Sequence, residues 1–380
     1  MKRTISAVIA VLICLFWCIC TAYAEDADIN AVTNELGIDI GSIESGISDE
    51  VKDKLAENNI TPDNTDELVN VTAGDVFKYI LDEIKSKIKY PMRLFSSLIC
   101  IIVVNAAVNG FSDCLSNKSL EKIYNMVTVL IVTSIISGPI ADSVALTSET
   151  LTSGAEFMMC YIPVFSGIVA SSGSITSAAA YNTALMLAAE AAVWIAAEYI
   201  MPVLSVCMSL GIIEAVNPSF GLTSVTDAIA KGVKFILGFV MTIFIGLLSL
   251  QSIIGTSADS LGIKAAKYLA SNVIPVVGSA VADAYTTIKS SLGILRGGTG
   301  FFGIAAIFYI VMPVIIELGL MRVVFMCSEM LCEMLNFGNI RIVIKNTSSV
   351  LSMMLSLIIC FAMMLVISTA ILMSLGLNMY

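Results

Sequence analysis

Apolar residues run in long unbroken blocks over most of this chain, and polar residues gather in one place near its start. The blocks at 94–108, 124–138, 178–200, 203–216, 233–255, 301–320 and 350–375 carry almost no charge on any helical face. A helix hydrophobic all round is either a buried core helix or a membrane span. The pattern predicts an all-α, polytopic helical membrane protein of about seven spans, several short against the ~20 residues a crossing needs. Two further blocks, 157–170 and 268–282, are shorter, contain proline and are rich in Gly, Ala and Ser. They read as candidate re-entrant or broken helices, with Pro163, Gly167, Pro275 and Gly278 as the residues that would break them.

Those two blocks resemble each other. Ile162-Pro163-Val164 is followed by Gly167 and Ala170, and Ile274-Pro275-Val276 by Gly278 and Ala282; upstream lie Ala141-Asp142-Ser143 and Ala258-Asp259-Ser260. This suggests an internal repeat of the kind that underlies many transport folds, although three-residue matches in so apolar a chain also arise by chance. Lys and Arg in the connecting loops divide six to five between the two sides whether both proline blocks cross or neither does. Charge bias therefore leaves seven and nine spans open. Either odd count puts the C-terminus in the cytosol if the segment before residue 91 is outside.

The N-terminal region sets that side. Met1-Lys2-Arg3, an apolar run over 5–20 and Ala22-Tyr23-Ala24 form the pattern of a signal peptide cleaved after residue 24, with an uncleaved anchor as the alternative. Residues 25–90 hold 16 acidic and six basic side chains and no cysteine, so they form an exported acidic segment without disulfide staples. In it, Ser48 can cap a short helix carrying Val51 and Leu55. Thr72-x-x-Asp75 resembles a capping box opening a helix whose Val76, Phe77, Ile80, Leu81, Ile84 and Ile88 make one apolar stripe. Lys85, Lys87 and Lys89 suit that helix's C-terminal end, and Pro91 marks its stop. The stripe fits a lipid surface or a docking partner. Residues 91–380 are then the polytopic domain.

Composition narrows the chemistry. Only 13% of the 380 residues are charged, about half the share of a soluble domain. There is no histidine, which removes a His general base, a Ser-His or Cys-His pair and any His-ligated metal. The net charge of −10 lies in the exported segment and argues against nucleic acid as a partner. Cys327-x4-Cys332 has no second pair beside it, and no P-loop or nucleophile elbow is present. No cofactor, metal or catalytic residue is expected, and the chain reads as no enzyme.

What remains are side chains out of place in an apolar helix. Glu190 and Glu198 lie in or beside the 178–200 block, where a carboxylate is costly unless it meets water or a partner. Arg322, Glu329 and Glu333 share one helical face, which an ion-pair ladder explains; Arg322 and Glu329 are the further candidates for a role within the membrane. Ala180, Ala184, Ala188, Ala192 and Ala196 form a row of small residues at four-residue spacing, and Gly238, Thr242 and Gly246 another. Such rows are helix-packing seams. Gly298-x-Gly-x-x-Gly303 has no preceding strand and reads as a hinge or tight turn opening a membrane helix rather than a dinucleotide loop.

The run Lys264-Ala265-Ala266-Lys267-Tyr268-Leu269-Ala270-Ser271-Asn272-Val273-Ile274-Pro275-Val276-Val277-Gly278, with Asp283 and Ser290-Ser291-Leu292 after it, resembles the signature of the stage III sporulation protein AE family. The 162–178 stretch fits that family too, and the likeness extends over essentially the whole chain. The resemblance implies an integral-membrane scaffold or conduit subunit of a secretion-like channel complex linking mother cell and forespore. It would sit in the mother-cell membrane surrounding the forespore, with a cytosolic ATPase and ring-forming subunits among its partners. The competing reading from the residues is an autonomous secondary transporter or permease, motivated by the repeat and Glu190.

Overall fold

The structure, a computed structural model, describes residues 40–57, 60, 73–112, 118–273 and 278–374. The leader at 1–24, Thr72 and Pro275 lie outside them. Every described element is helical: a 3-10 turn at Ile40–Gly46, then α1 (Asp49–Glu57), α2 (Ala73–Lys87), α3 (Lys89–Ser112), α4 (Lys118–Ser171), α5 (Ile175–Ile195), a wide π turn at Ala196–Ile200, α6 (Met201–Val216), α7 (Thr223–Val273), α8 (Gly278–Met334) and α9 (Gly338–Ser374). Their interiors tolerate hydroxyl residues because these turn back on the carbonyl one turn earlier. Thr147 Oγ1 on Ser143 O at 2.7 Å, Ser166 Oγ on Ile162 O at 2.7 Å and Thr369 Oγ1 on Leu365 O at 2.7 Å are examples. These hydroxyls then need no water to satisfy them.

Six stretches among the described residues are long and apolar enough to cross a membrane: Lys89–Val108, Ile123–Ser171, Ile175–Val216, Thr223–Ser260, Leu295–Met334 and Gly338–Ser374. The count differs from the expected seven because separate blocks fuse. Pro202 withholds an N–H, and instead of ending the helix the chain widens into the π turn and continues, so 178–200 and 203–216 make one pass. The 157–170 block is the far end of α4, which runs for 54 residues through Pro139 and Pro163. At 1.5 Å per residue that helix is ~80 Å long, well over twice the hydrocarbon core. Ala258-Asp259-Ser260 lies inside α7, and Gly278 opens α8.

The passes alternate in direction. Tyr161 of α4 meets Thr299 of α8, Tyr181 of α5 meets Leu248 of α7, Asn346 of α9 meets Cys207 of α6, and Gly300 of α8 meets Met373 of α9. One end of the bundle carries the α4–α5 turn at Gly173 (φ +94°); the other carries the α6–α7 turn and the α8–α9 turn at Asn336 (φ +57°). Asparagine tolerates that left-handed conformation, and Phe337 N returning to Cys332 O at 2.9 Å closes the helix end. Because six passes alternate, Ser374 finishes level with Tyr161, toward the same end as the 40–57 segment.

The α8–α9 hairpin is the core. In each of these passes 72% of the most apolar stretch is buried, against 22–33% in the other four. Much of the hydrophobicity of 301–320 and 350–374 therefore answers to protein neighbours rather than lipid. Gly298 to Gly303 lie within α8, not at a hinge, and are its narrowest part. Met373 presses on Gly300, and the Tyr161 ring lies where a Cβ of Gly303 would be. Tyr161 is fully buried between Phe157 and Phe165, each with its ring centroid 5.3 Å away, and its hydroxyl donates to Thr299 O at 3.3 Å.

The acidic segment packs onto this bundle. Val51 and Leu55 of α1 are buried as expected, with Ile43 and Ile47 before them, and Gly46 abuts Cys160 of α4. On α2 the face against α8 is not the apolar stripe, whose Phe77, Leu81 and Ile88 stay exposed. Tyr79 instead packs edge-on to Tyr309 at 4.9 Å, and Lys87 pairs with Glu317 at 2.9 Å. Pro91 sits in the first turn of α3, so the expected boundary at 90/91 falls inside a nearly continuous helical run. Burial is the largest single influence on the Lys87 pKa and lowers it, but the hydrogen bond and charge of Glu317, with Glu83 and Glu50 nearby, together outweigh it and hold the ammonium above its ordinary 10.5. A raised folded-state value stabilises docking below the unfolded pKa and is lost as pH rises through the folded one. Proteolytic cleavage within 73–88 should therefore increase at strongly alkaline pH, and Glu317→Gln should bring that onset to lower pH; an unchanged onset would count against this contact.

Candidate functional site

At the Asn336 end, three helices place polar side chains around one crevice. The chain leaves α6 at Asn217, whose Oδ1 accepts from Ser219 N at 3.3 Å, and turns through Gly221 (φ +60°) into α7. This tight return lays the last turn of α6 beside the first turn of α7. Glu214, Thr223, Thr226 and Asp227 come from these two ends, and Ile342, Lys345, Asn346 and Ser349 from the first turns of α9. Glu214 is 5% exposed, the most deeply buried carboxylate among the described residues. Asn346 Nδ2 donates to Cys207 O at 2.8 Å. The glycine at 211 is required there, since any Cβ would overlap the Asn346 amide. Asn346 Oδ1 is buried without a donor among the described residues.

Lys345 Nζ lies 3.5 Å from Asp227 Oδ2, so one of the crevice's two carboxylates meets its ammonium. Oxygen-rich, closed at Glu214 and open at the Lys345–Asp227 pair, the crevice could hold a proton or a small hard cation, or receive a donor side chain from another subunit. Among the described residues no group of three His, Cys, Asp or Glu side chains forms a metal cluster. Glu214 was not apparent from the sequence. It stands two residues from a helix end, where a carboxylate ordinarily reaches water, and only the fold of α7 and α9 over it makes it buried.

The candidates drawn from the sequence lie elsewhere. Glu190 and Glu198 both face outward from the α5 pass, among exposed Leu187, Trp194 and Tyr199, with Trp194 and Tyr199 in edge contact at 5.2 Å. Neither carboxylate meets a cation among the described residues. Ala180, Ala184, Ala188 and Ala192 are half-buried and Ala196 is buried, flanking an innermost row of Tyr181, Leu185 and Ala189. Gly238, Thr242 and Gly246 face out of α7, with nothing within 4 Å of a Cβ at either glycine. Pro163 is exposed and Gly167 half-buried within unbroken α4.

The ion-pair ladder has different members from those expected. Glu329 and Glu333 pair across the α8–α9 turn with Arg341, at 3.9 and 3.3 Å. Arg322 takes no part: it lies about two turns back on α8, too far for its guanidinium to join them. In a separate contact, Asp259 of α7 caps the start of α5, accepting from Thr176 N at 2.9 Å, Ser177 N at 3.0 Å and Ser177 Oγ at 2.6 Å. The Ala-Asp-Ser triplet at 258–260 thus supplies a tertiary helix cap. Its counterpart Asp142 accepts from Tyr90 Oη at 3.2 Å.

Six alternating apolar passes, two of which form a buried hairpin, make this a multi-pass helical membrane protein. The chain belongs to the stage III sporulation protein AE family, whose profile matches residues 53–376. It is similar to Stage III sporulation protein AE of Bacillus subtilis (strain 168), with 24% identity over 230 residues. The match covers 60% of this chain and 57% of the relative, so it spans little over half the relative's length. No solved structure matches. The resemblance carried by the Lys264–Gly278 run therefore holds at the level of the family, and the family gives the chain a role in sporulation.

Proposed function

We propose that this chain is an integral-membrane scaffold or conduit subunit of a secretion-like channel complex between mother cell and forespore, required for endospore development. The reading rests on the family together with one structural observation: Glu190 and Glu198 project from the outside of an apolar pass, amid large apolar side chains. A carboxylate facing lipid is costly, and a neighbouring subunit that offers a cation removes the cost. Other stage III sporulation membrane proteins are the expected neighbours, with a cytosolic ATPase supplying energy. On this reading the 40–57 segment and Ser374 lie on the side away from the mother-cell cytosol, because the passes are even in number. That departs from the cytosolic C-terminus expected on an odd count, and a C-terminal reporter distinguishes the two.

The testing experiment is a pull-down of tagged protein from sporulating cells in mild detergent. Recovery of an ATPase and ring-forming subunits is the expected result. Glu190→Gln with Glu198→Gln should reduce the recovered partners severalfold while leaving expression of the chain unchanged. Recovery of the chain alone, where a control complex survives, would remove the scaffold reading. The buried carboxylate of Glu214 supports the second reading, an autonomous transporter, which requires uptake by the purified chain in liposomes and its loss in Glu214→Gln.

A further inference from the structure

A second polar site lies deeper along α9. Gly300 against Met373 and Glu333 against Arg341 give the α8–α9 hairpin one antiparallel register, which sets Ser352 opposite Met321 and Arg322. From the other side, Lys234 of α7 donates to Ser352 Oγ at 3.0 Å. Lys234 and Arg322 are both half-buried and near enough to repel one another. Arg322 Nε is buried with no acceptor, and no carboxylate of the described residues lies within ion-pair distance of either cation. Their neighbours are treated differently: Lys345 has Asp227, and Arg341 has Glu329 and Glu333. Two like charges withdrawn together from water are costly unless an anion joins them.

The donors select the anion. A guanidinium offers parallel N–H groups to two oxygens at once, an ammonium offers a point charge, and the Ser352 hydroxyl can donate to a third oxygen. That set suits a tetrahedral oxyanion. The three residues also stand where the most apolar runs of their helices begin or end, at 233–255, 301–320 and from 350 onward. Beside them Phe235, Ile236 and Val323 point out of the bundle, 73%, 53% and 56% exposed. An oxyanion at the rim of an apolar surface is the setting of a lipid headgroup. We infer that Lys234, Arg322 and Ser352 bind the phosphate of an anionic phospholipid. The site is independent of the complex proposed above, so its test uses the chain alone.

Full-length protein in detergent is incubated with phosphatidylglycerol, and lipid retained per chain is measured by native mass spectrometry. One retained lipid is expected, weakened at least about tenfold in Lys234→Met and in Arg322→Met and unchanged in Lys85→Gln, a surface cation on α2. Lys234→Arg keeps the charge and should keep retention, which separates loss of the site from loss of the fold. Equal retention in the two methionine variants would overturn the assignment. So would binding of inorganic phosphate without retention of phosphatidylglycerol, which would make the ligand a soluble oxyanion. A co-purifying protein lost from the methionine variants, with no lipid retained by the unaltered chain, would also overturn it.

Discussion

Gly303→Val is expected to destabilise the bundle by about 3 kcal/mol or more, at the upper end of overpacking effects. The Cβ alone would enter space that the Tyr161 ring occupies, before valine's two methyl groups are added, and that ring cannot yield. It is fully buried, stacked between Phe157 and Phe165 and tied by its hydroxyl to Thr299 O. The measurement is the thermal midpoint of detergent-solubilised protein. Tyr161→Ala alone should also destabilise, by opening a cavity, while Gly303→Val with Tyr161→Ala should cost less than the two separately. Strict additivity would show that the residues are not in contact and would count against this packing of α4 on α8.

Asp259→Ala is the second large effect, expected at about 3 kcal/mol. One carboxylate accepts from two backbone amides and a hydroxyl at the start of α5. Its removal leaves three donors unsatisfied, two of them on buried Ser177 where little water can replace it. Asp259→Asn keeps one oxygen acceptor and should lose about a third to a half as much. The check is again the thermal midpoint, with proteolysis near the 172–174 turn as a local readout. Equal loss in both variants would mean that the charge, rather than the acceptors, is what α5 requires. No loss in Asp259→Ala would dismiss the cap.

These two positions show why pattern reading stopped where it did. Gly298-x-Gly-x-x-Gly303 is conspicuous as a motif, but a glycine in an apolar run is equally compatible with a turn, a hinge or a close helix crossing. Only Tyr161, more than a hundred residues away, makes it the last. Asp259 was visible only as half of a repeated triplet. Its use as a cap requires α7 to run antiparallel beside α5, and nothing local to 258–260 specifies that. Glu190 and Glu198 were noticed because carboxylates are rare in apolar helices. Their outward orientation depends on which face of α5 meets α4 and α7, and the alanine-rich sequence offers small residues on several faces. Glu214 went unnoticed for the opposite reason, since a helix end ordinarily reaches water.

By itself the sequence determined that this is an all-helical membrane protein, because blocks so apolar can satisfy their backbone groups only within helices. It also determined the family, through the Lys264–Gly278 run, and the buried residues of the short helix at 49–57, whose spacing leaves one apolar face. Tertiary structure alone decided how many passes those blocks make, since a proline either ends a helix or is absorbed by a π turn according to what packs around it. It decided that the α8–α9 hairpin forms the interior and that Glu329 and Glu333 pair with Arg341 rather than Arg322. It also brought Lys234, Arg322 and Ser352 together from three helices. Hydrophobicity is a property of composition and survives in one dimension, whereas burial and charge pairing are relations between distant residues that exist only once the helices have chosen their neighbours.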